Sequence, residues 1–116
     1  MAGDWDDLPV LDLLGDRTVR AILVVAQEQP RPVKEIAEAC DVAPSTIYRH
    51  VDDMLAADLL VERTKVETDG SHHSVYEANV DHVDVDLARD GFVIEVQASQ
   101  SPSERFTRIW DDIRKG

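Results

Sequence analysis

The sequence predicts an α+β fold in which short helices precede two β-hairpins and a last helix follows them. Three observations predict it. Apolar residues recur at helical spacing on both sides of a three-residue break at Asp41-Val42-Ala43. Apolar and polar residues then alternate around two turn dipeptides, Asp69-Gly70 and Asp90-Gly91. Finally, Ser101-Pro102-Ser103-Glu104 has the pattern of a capping box with proline in the first turn.

Taken in order, Leu8 to Leu14 form a short apolar helix that Gly15 stops. Asp16 stands at an N-cap, where its carboxylate accepts from unpaired backbone amides. Val19, Ile22, Leu23 and Ala26 then mark one face of a second helix. That helix ends before Pro30 and Pro32, which cannot donate a helical hydrogen bond. Val33 to Cys40 make a two-turn helix with Val33, Ile36, Ala37 and Cys40 inward. Pro44 opens the next helix, and Ile47, Val51, Met54 and Leu55 give it a buried stripe up to about Asp58. Leu59 to Val66 and Ser74 to Val80 read as strands around the loop 67–73. Val83, Val85 and Leu87 alternate with Asp84 and Asp86, and Asp90-Gly91 turns the chain into Phe92 to Val96. The last helix carries Phe106, Ile109, Trp110 and Ile113 on one face.

At 116 residues the chain has room for one compact domain. No apolar run approaches the roughly 18 residues of a membrane span, so no membrane partner is expected. The acidic start Asp4-Trp5-Asp6-Asp7 is unlike a secretory or transit signal. One cysteine excludes an intramolecular disulfide, which makes a cytoplasmic setting the expectation. Acids outnumber bases 24 to 12, for a net charge of −12, and only three of the bases are lysines. Such a charge repels nucleic acid at low salt. It is also the composition expected of a protein working in molar salt, where screening acts within about 3 Å. Local charge is therefore the better guide to function.

A helix, a tight turn, a second helix and a hairpin in that order make a winged helix-turn-helix, a tri-helical core with a β-wing. Leu13-Leu14-Gly15-Asp16 followed by Arg20-Ala21-Ile22-Leu23 resembles the opening of the ArsR group, and Val33 to Leu60 resembles the tri-helical DNA-binding core of prokaryotic regulators. Over residues 8–80 the chain is similar to small haloarchaeal winged-helix regulators of the ArsR or MarR type. The resemblance implies double-stranded DNA as partner and transcriptional control as function. It also implies glycine in the inter-helix turn and after the recognition helix, where this chain has Asp41 and Asp58. Aspartate enters the left-handed region more readily than most residues, so the geometry is expected to survive. Ala43 replaces the serine expected at the recognition helix N-cap, and Asp52 and Asp53 come soon after Arg49.

The physics of the groove points the same way. A major groove about 12 Å wide admits one helix, whose N-terminal residues read base edges. With its apolar stripe inward, the 44–57 helix presents Ser45, Thr46, Tyr48, Arg49 and His50, and no acid occurs from Val42 to Val51. Arg49 suits a bidentate contact with guanine, and Ser45 and Thr46 suit phosphate or base edges. Arg31 and Lys34 lie at the start of the preceding helix, Arg63 and Lys65 on the first wing strand, and His72 and His73 near the wing tip. All are expected phosphate contacts. Tyr48 has the alternative of packing on the wing, and His50 that of being half-buried.

Competing chemistries are poorly provided for. Cys40 lies on a core stripe with no adjacent base, which suits a small core residue better than a redox sensor. No metal or cofactor is expected: the last helix has neither cysteine nor histidine, and His72 and His73 point to opposite faces of a strand, though Asp81 and His82 stand nearby. There is no phosphate-binding glycine loop, nucleophile elbow or spaced His-Glu pair, so no enzyme is expected.

Leu8, Leu11 and Leu14 at one end and Phe106, Ile109, Trp110 and Ile113 at the other are apolar faces left over from so small a core. They predict a two-fold homodimer, the alternative being that the last helix packs on its own core. Residues 1–80 then form the DNA-binding region and 81–116 a hairpin and helix for dimerisation. The expected function is a dimeric repressor reading a pseudo-palindromic site, with salt cations bridging its acidic surface to DNA. The alternative is a winged helix that binds protein and never touches DNA.

Overall fold

The computed structural model describes residues 9–98. Its elements are α1 (Pro9–Leu14), α2 (Arg17–Ala26), α3 (Val33–Cys40), α4 (Pro44–Ala56), β1 (Leu60–Val66), β2 (His72–Ala78), β3 (Val80–Ala88) and β4 (Gly91–Ala98). They form an α+β domain with two antiparallel hairpins, β1–β2 and β3–β4, in separate two-stranded sheets. Leu8 and the stripe of Phe106, Ile109, Trp110 and Ile113 lie outside the described residues.

The core is where the helical periodicities converge. Val19, Ile22 and Ala26 of α2, Val33, Ile36 and Ala37 of α3, and Ile47, Val51 and Met54 of α4 form one buried cluster. Leu59, Leu60, Tyr76 and Ala78 close it from the first hairpin. Each fully buried side chain of this size contributes about 1.5–3 kcal/mol of transfer free energy. A bridge outside the strands adds to the closure: Arg31 and Tyr76 exchange backbone hydrogen bonds of 2.9 and 2.8 Å. It ties the α2–α3 connection to β2. On α1 no residue is fully buried, and Val10 and Leu13 only lean on the cluster.

Both helix ends that lack glycine do turn left-handed, Asp41 at φ 58° and Asp58 at φ 60°. After α3 the amides of Asp41 and Val42 bond back to carbonyls of Glu38 and Ala37, ending the helix in a tight reversal. Asp16 caps α2 as expected, its Oδ1 accepting from the amides of Thr18 (2.7 Å) and Val19 (3.3 Å).

Several boundaries differ from the expectation. The loop between β1 and β2 is 67–71, closed by the amide of Glu67 on the Ser71 carbonyl, so His72 and His73 belong to β2. β3 begins at Val80, directly after Asn79, and the second turn is Arg89-Asp90 with Gly91 as the first residue of β4. Gly91 has φ 134°, a conformation glycine alone takes up cheaply.

Candidate nucleic-acid interface

The α3–turn–α4 unit sets the orientation of α4. Ile47, Val51 and Met54 anchor its inner face with at most 1% exposure, which forces Ser45, Tyr48 and Arg49 outward. Thr46 is half-buried. Pro44 occupies the first turn and Ala43 the N-cap without a side-chain bond, so no local side chain satisfies the first amides of α4. Beside that end, Lys34, Ala37, Glu38, Asp41, Val42, Ala43 and Pro44 line an open depression of about 520 Å³.

His50 is turned inward. Its Nδ1 lies 2.8 Å from the Thr46 carbonyl and its Nε2 3.1 Å from Asp16 Oδ2. The same carboxylate therefore caps α2 and holds the ring of α4, linking the two helices. The bond to His50 is the main cause holding the Asp16 carboxyl below its ordinary range, with the two backbone amides adding to it. This link yields a pH prediction. A carboxyl with a lowered folded pKa contributes stability that is present above its unfolded value near 4 and lost as pH falls below it. Asp16→Asn keeps a capping oxygen but removes the titration. Melts from pH 6 down to about 3 should show a shallower loss of Tm for the variant than for the native chain. Parallel curves would mean that the His50–Asp16 bond carries no stability.

Tyr48 keeps 55% of its surface exposed on α4. Burial is the main cause pushing the Tyr76 hydroxyl pKa up, and Glu62, Tyr48 and Asp52 add to it. Tyr48 and Asp52 thus lie toward the β1–β2 hairpin. Asp53 faces the other way and lines a depression with Pro9, Asp12, Leu13, Ala56 and Ala57. Both aspartates belong to the second half of α4, after Ser45, Tyr48 and Arg49.

The outer cations are mostly paired. Arg31 donates to the Val25 carbonyl (3.1 Å) and to Glu35 (3.4 Å). Arg63 donates through two nitrogens to Glu77 Oε1, at 3.1 and 3.3 Å. Lys65 and His73 share Glu67 at 3.7 and 3.2 Å. His72 is exposed at the start of β2. Arg49 and Lys34 make no hydrogen bond or ion pair among the described residues. Exposed pairs of this kind are worth only about 0–1 kcal/mol, so a phosphate can displace the acid from each at little cost. The chain thus brings Ser45, Tyr48 and Arg49 onto one surface, with Lys34 beside it and Arg63, Lys65, His72 and His73 on the adjoining hairpin. Sequence reasoning missed the acids that hold these cations. Glu35 stands four residues after Arg31, but Arg31 precedes α3 and bridges to Tyr76, so no helical spacing rule reaches the pair; Glu77 becomes a neighbour of Arg63 only through strand register.

Elsewhere the thiol of half-buried Cys40 has its pKa raised by burial, which disfavours the reactive thiolate. Among the described residues no group of three or more histidine, cysteine or acidic side chains could hold a metal. No helix among them is long and apolar enough to cross a membrane.

Residues 10–63 match the family model of a helix-turn-helix domain, from α1 through the first residues of β1. No curated protein matches the chain.

Proposed function

We propose that this helix-turn-helix chain is a sequence-specific DNA-binding transcription regulator acting as a dimeric repressor. The N-terminal half of α4 enters the major groove, and the β1–β2 hairpin serves as a wing on flanking phosphate. One observation carries the reading. In a chain where one residue in five is acidic, the outward surface of α4 from Ser45 to Arg49 is free of acid and offers a guanidinium, an aromatic ring and a hydroxyl. Ser45 and Arg49 contact base edges, while Thr46, half-buried, reaches only the nearest phosphate. Tyr48 stands between base and wing. Lys34, Arg31, Arg63, Lys65, His72 and His73 contact phosphate after exchanging their acids, and His50 acts through the placement of α4.

Residues 1–80 form the DNA-binding region and 81–116 the dimerisation region. Leu8, Leu11 and Leu14 together with Phe106, Ile109, Trp110 and Ile113 supply apolar contact between copies. A two-fold pair sets its reading helices about one DNA turn apart, roughly 34 Å, and so prefers a pseudo-palindromic site. Repression follows by competition with the basal machinery. The function is binding and not enzymatic turnover.

A second reading is favoured by the same ion pairs. A surface whose cations are already matched by Glu35, Glu67 and Glu77, on a chain of net charge −12, also suits a winged helix that binds protein. Salt titration separates the two. Ordinary phosphate binding loses about 0.9 log units of affinity per neutralised phosphate for each log unit of salt. This chain is expected to show a flattened slope, or tighter binding as KCl rises, because cations must screen and bridge its acidic surface. A steep negative slope from about 0.1 M upward would refute the salt-adapted mode. Absence of binding to any genomic fragment at every salt level would support the protein-interaction reading.

A further inference from the structure

Among the described residues the β3–β4 hairpin stands as a two-stranded sheet of its own. Its register pairs Val83 with Val96, Val85 with Ile94 and Leu87 with Phe92, so all six side chains share one face. Much of that face is open: Leu87 is 76% exposed, Phe92 48% and Val85 46%. A two-stranded hairpin is at best marginally stable in water, and a contiguous exposed apolar face on it is the kind of surface that another element or chain covers.

Its two edges are not alike. β3 carries Asp81, Asp84 and Asp86, and its pairing is broken by a bulge between Val80 and His82. Bulges and clustered charge are devices that keep an edge strand from pairing. β4 runs in unbroken register from Gly91 to Val96, with Glu95 as its single charge and neither proline nor lysine. Joining two β3 edges would set six aspartates against one another, whereas joining two β4 edges brings together only two glutamates.

We infer that β4 pairs antiparallel with β4 of a second copy, giving a continuous four-stranded sheet ordered β3–β4–β4–β3 about a two-fold axis. An axis through one β4 residue keeps both apolar faces on the same side of the sheet. The inference deepens the dimeric reading above and rests on it, but does not depend on DNA binding. Edge pairing alone buries less than the roughly 800 Å² per partner of a stable complex. The remainder is left to the dimer contacts proposed above for Phe106, Ile109, Trp110 and Ile113, which are read from the sequence and lie outside the described residues.

The test uses full-length single-cysteine variants in a Cys40→Ala background. Val93→Cys, Glu95→Cys and Gln97→Cys probe β4; Asp84→Cys and Asp86→Cys, on the same face, probe β3. In the proposed sheet β4 strands are neighbours while β3 strands lie about 14 Å apart. A short bis-maleimide should therefore yield at least about tenfold more dimer-mass product from the β4 set than from the β3 set. All five sites are on the polar face, away from the core, and circular dichroism checks that each variant keeps its fold. Equal or greater product from β3 overturns the inference. So does no product from a protein that sediments as a dimer, which leaves the dimeric regulator standing with another interface. A monomer at DNA-binding concentrations overturns both.

Discussion

Ile47→Ala is expected to lower the unfolding free energy by about 2–5 kcal/mol and Tm by roughly 10–25 °C. Ile47 has no exposed surface and lies where α4 meets the buried stripes of α2 and α3. Truncation there removes transfer free energy and leaves a cavity bounded by helices that cannot all move inward. Set against a total stability of about 5–15 kcal/mol, the loss is a large fraction of what holds the domain folded. It also loosens the helix whose outer face carries Ser45, Tyr48 and Arg49, so any binding should weaken through α4 alone. Tyr48→Ala, one residue away but 55% exposed, should change stability by no more than about 0.5 kcal/mol. Urea denaturation of the two variants provides the comparison. Similar small losses from both would mean that the core is not organised around the inner face of α4.

What the sequence made legible was whatever is decided within a turn or two of chain. The Asp16 cap, the proline stops, the buried stripes of α2, α3 and α4, and the left-handed Asp41 and Asp58 all follow from local sterics or helical period. Strand boundaries were less legible, because pairing partners and not local preference decide them. Ser71 closes the first turn onto Glu67, which moves His72 and His73 out of the loop and into β2. Electrostatic partners were the least legible. Whether Arg63 meets a phosphate or Glu77 depends on the register of β1 against β2, and the tie from His50 to Asp16 spans 34 positions of sequence. Outward placement of Ser45, Tyr48 and Arg49 could be read from periodicity alone; the acids awaiting the other cations could not.

Arg49→Ala is expected to reduce selective DNA binding by about tenfold to a hundredfold, the range of one good bidentate base contact. Arg49 is exposed on the outer side of the second turn of α4, and among the described residues no acid holds it. It thus differs from Arg63, which must first give up Glu77. The informative quantity is the ratio of specific to non-specific affinity, because a lost phosphate contact weakens every sequence alike. Competition among genomic fragments at about 2 M KCl measures that ratio with long-range charge effects nearly gone. Lys34→Ala, beside the start of α4, provides the contrast: it should weaken all fragments together and leave the ratio unchanged. If Arg49→Ala collapses the ratio and Lys34→Ala does not, α4 reads bases through its guanidinium. If both lower affinity with no loss of discrimination, Arg49 holds phosphate, and sequence preference must come from Ser45 and Tyr48 or from the shape of the DNA.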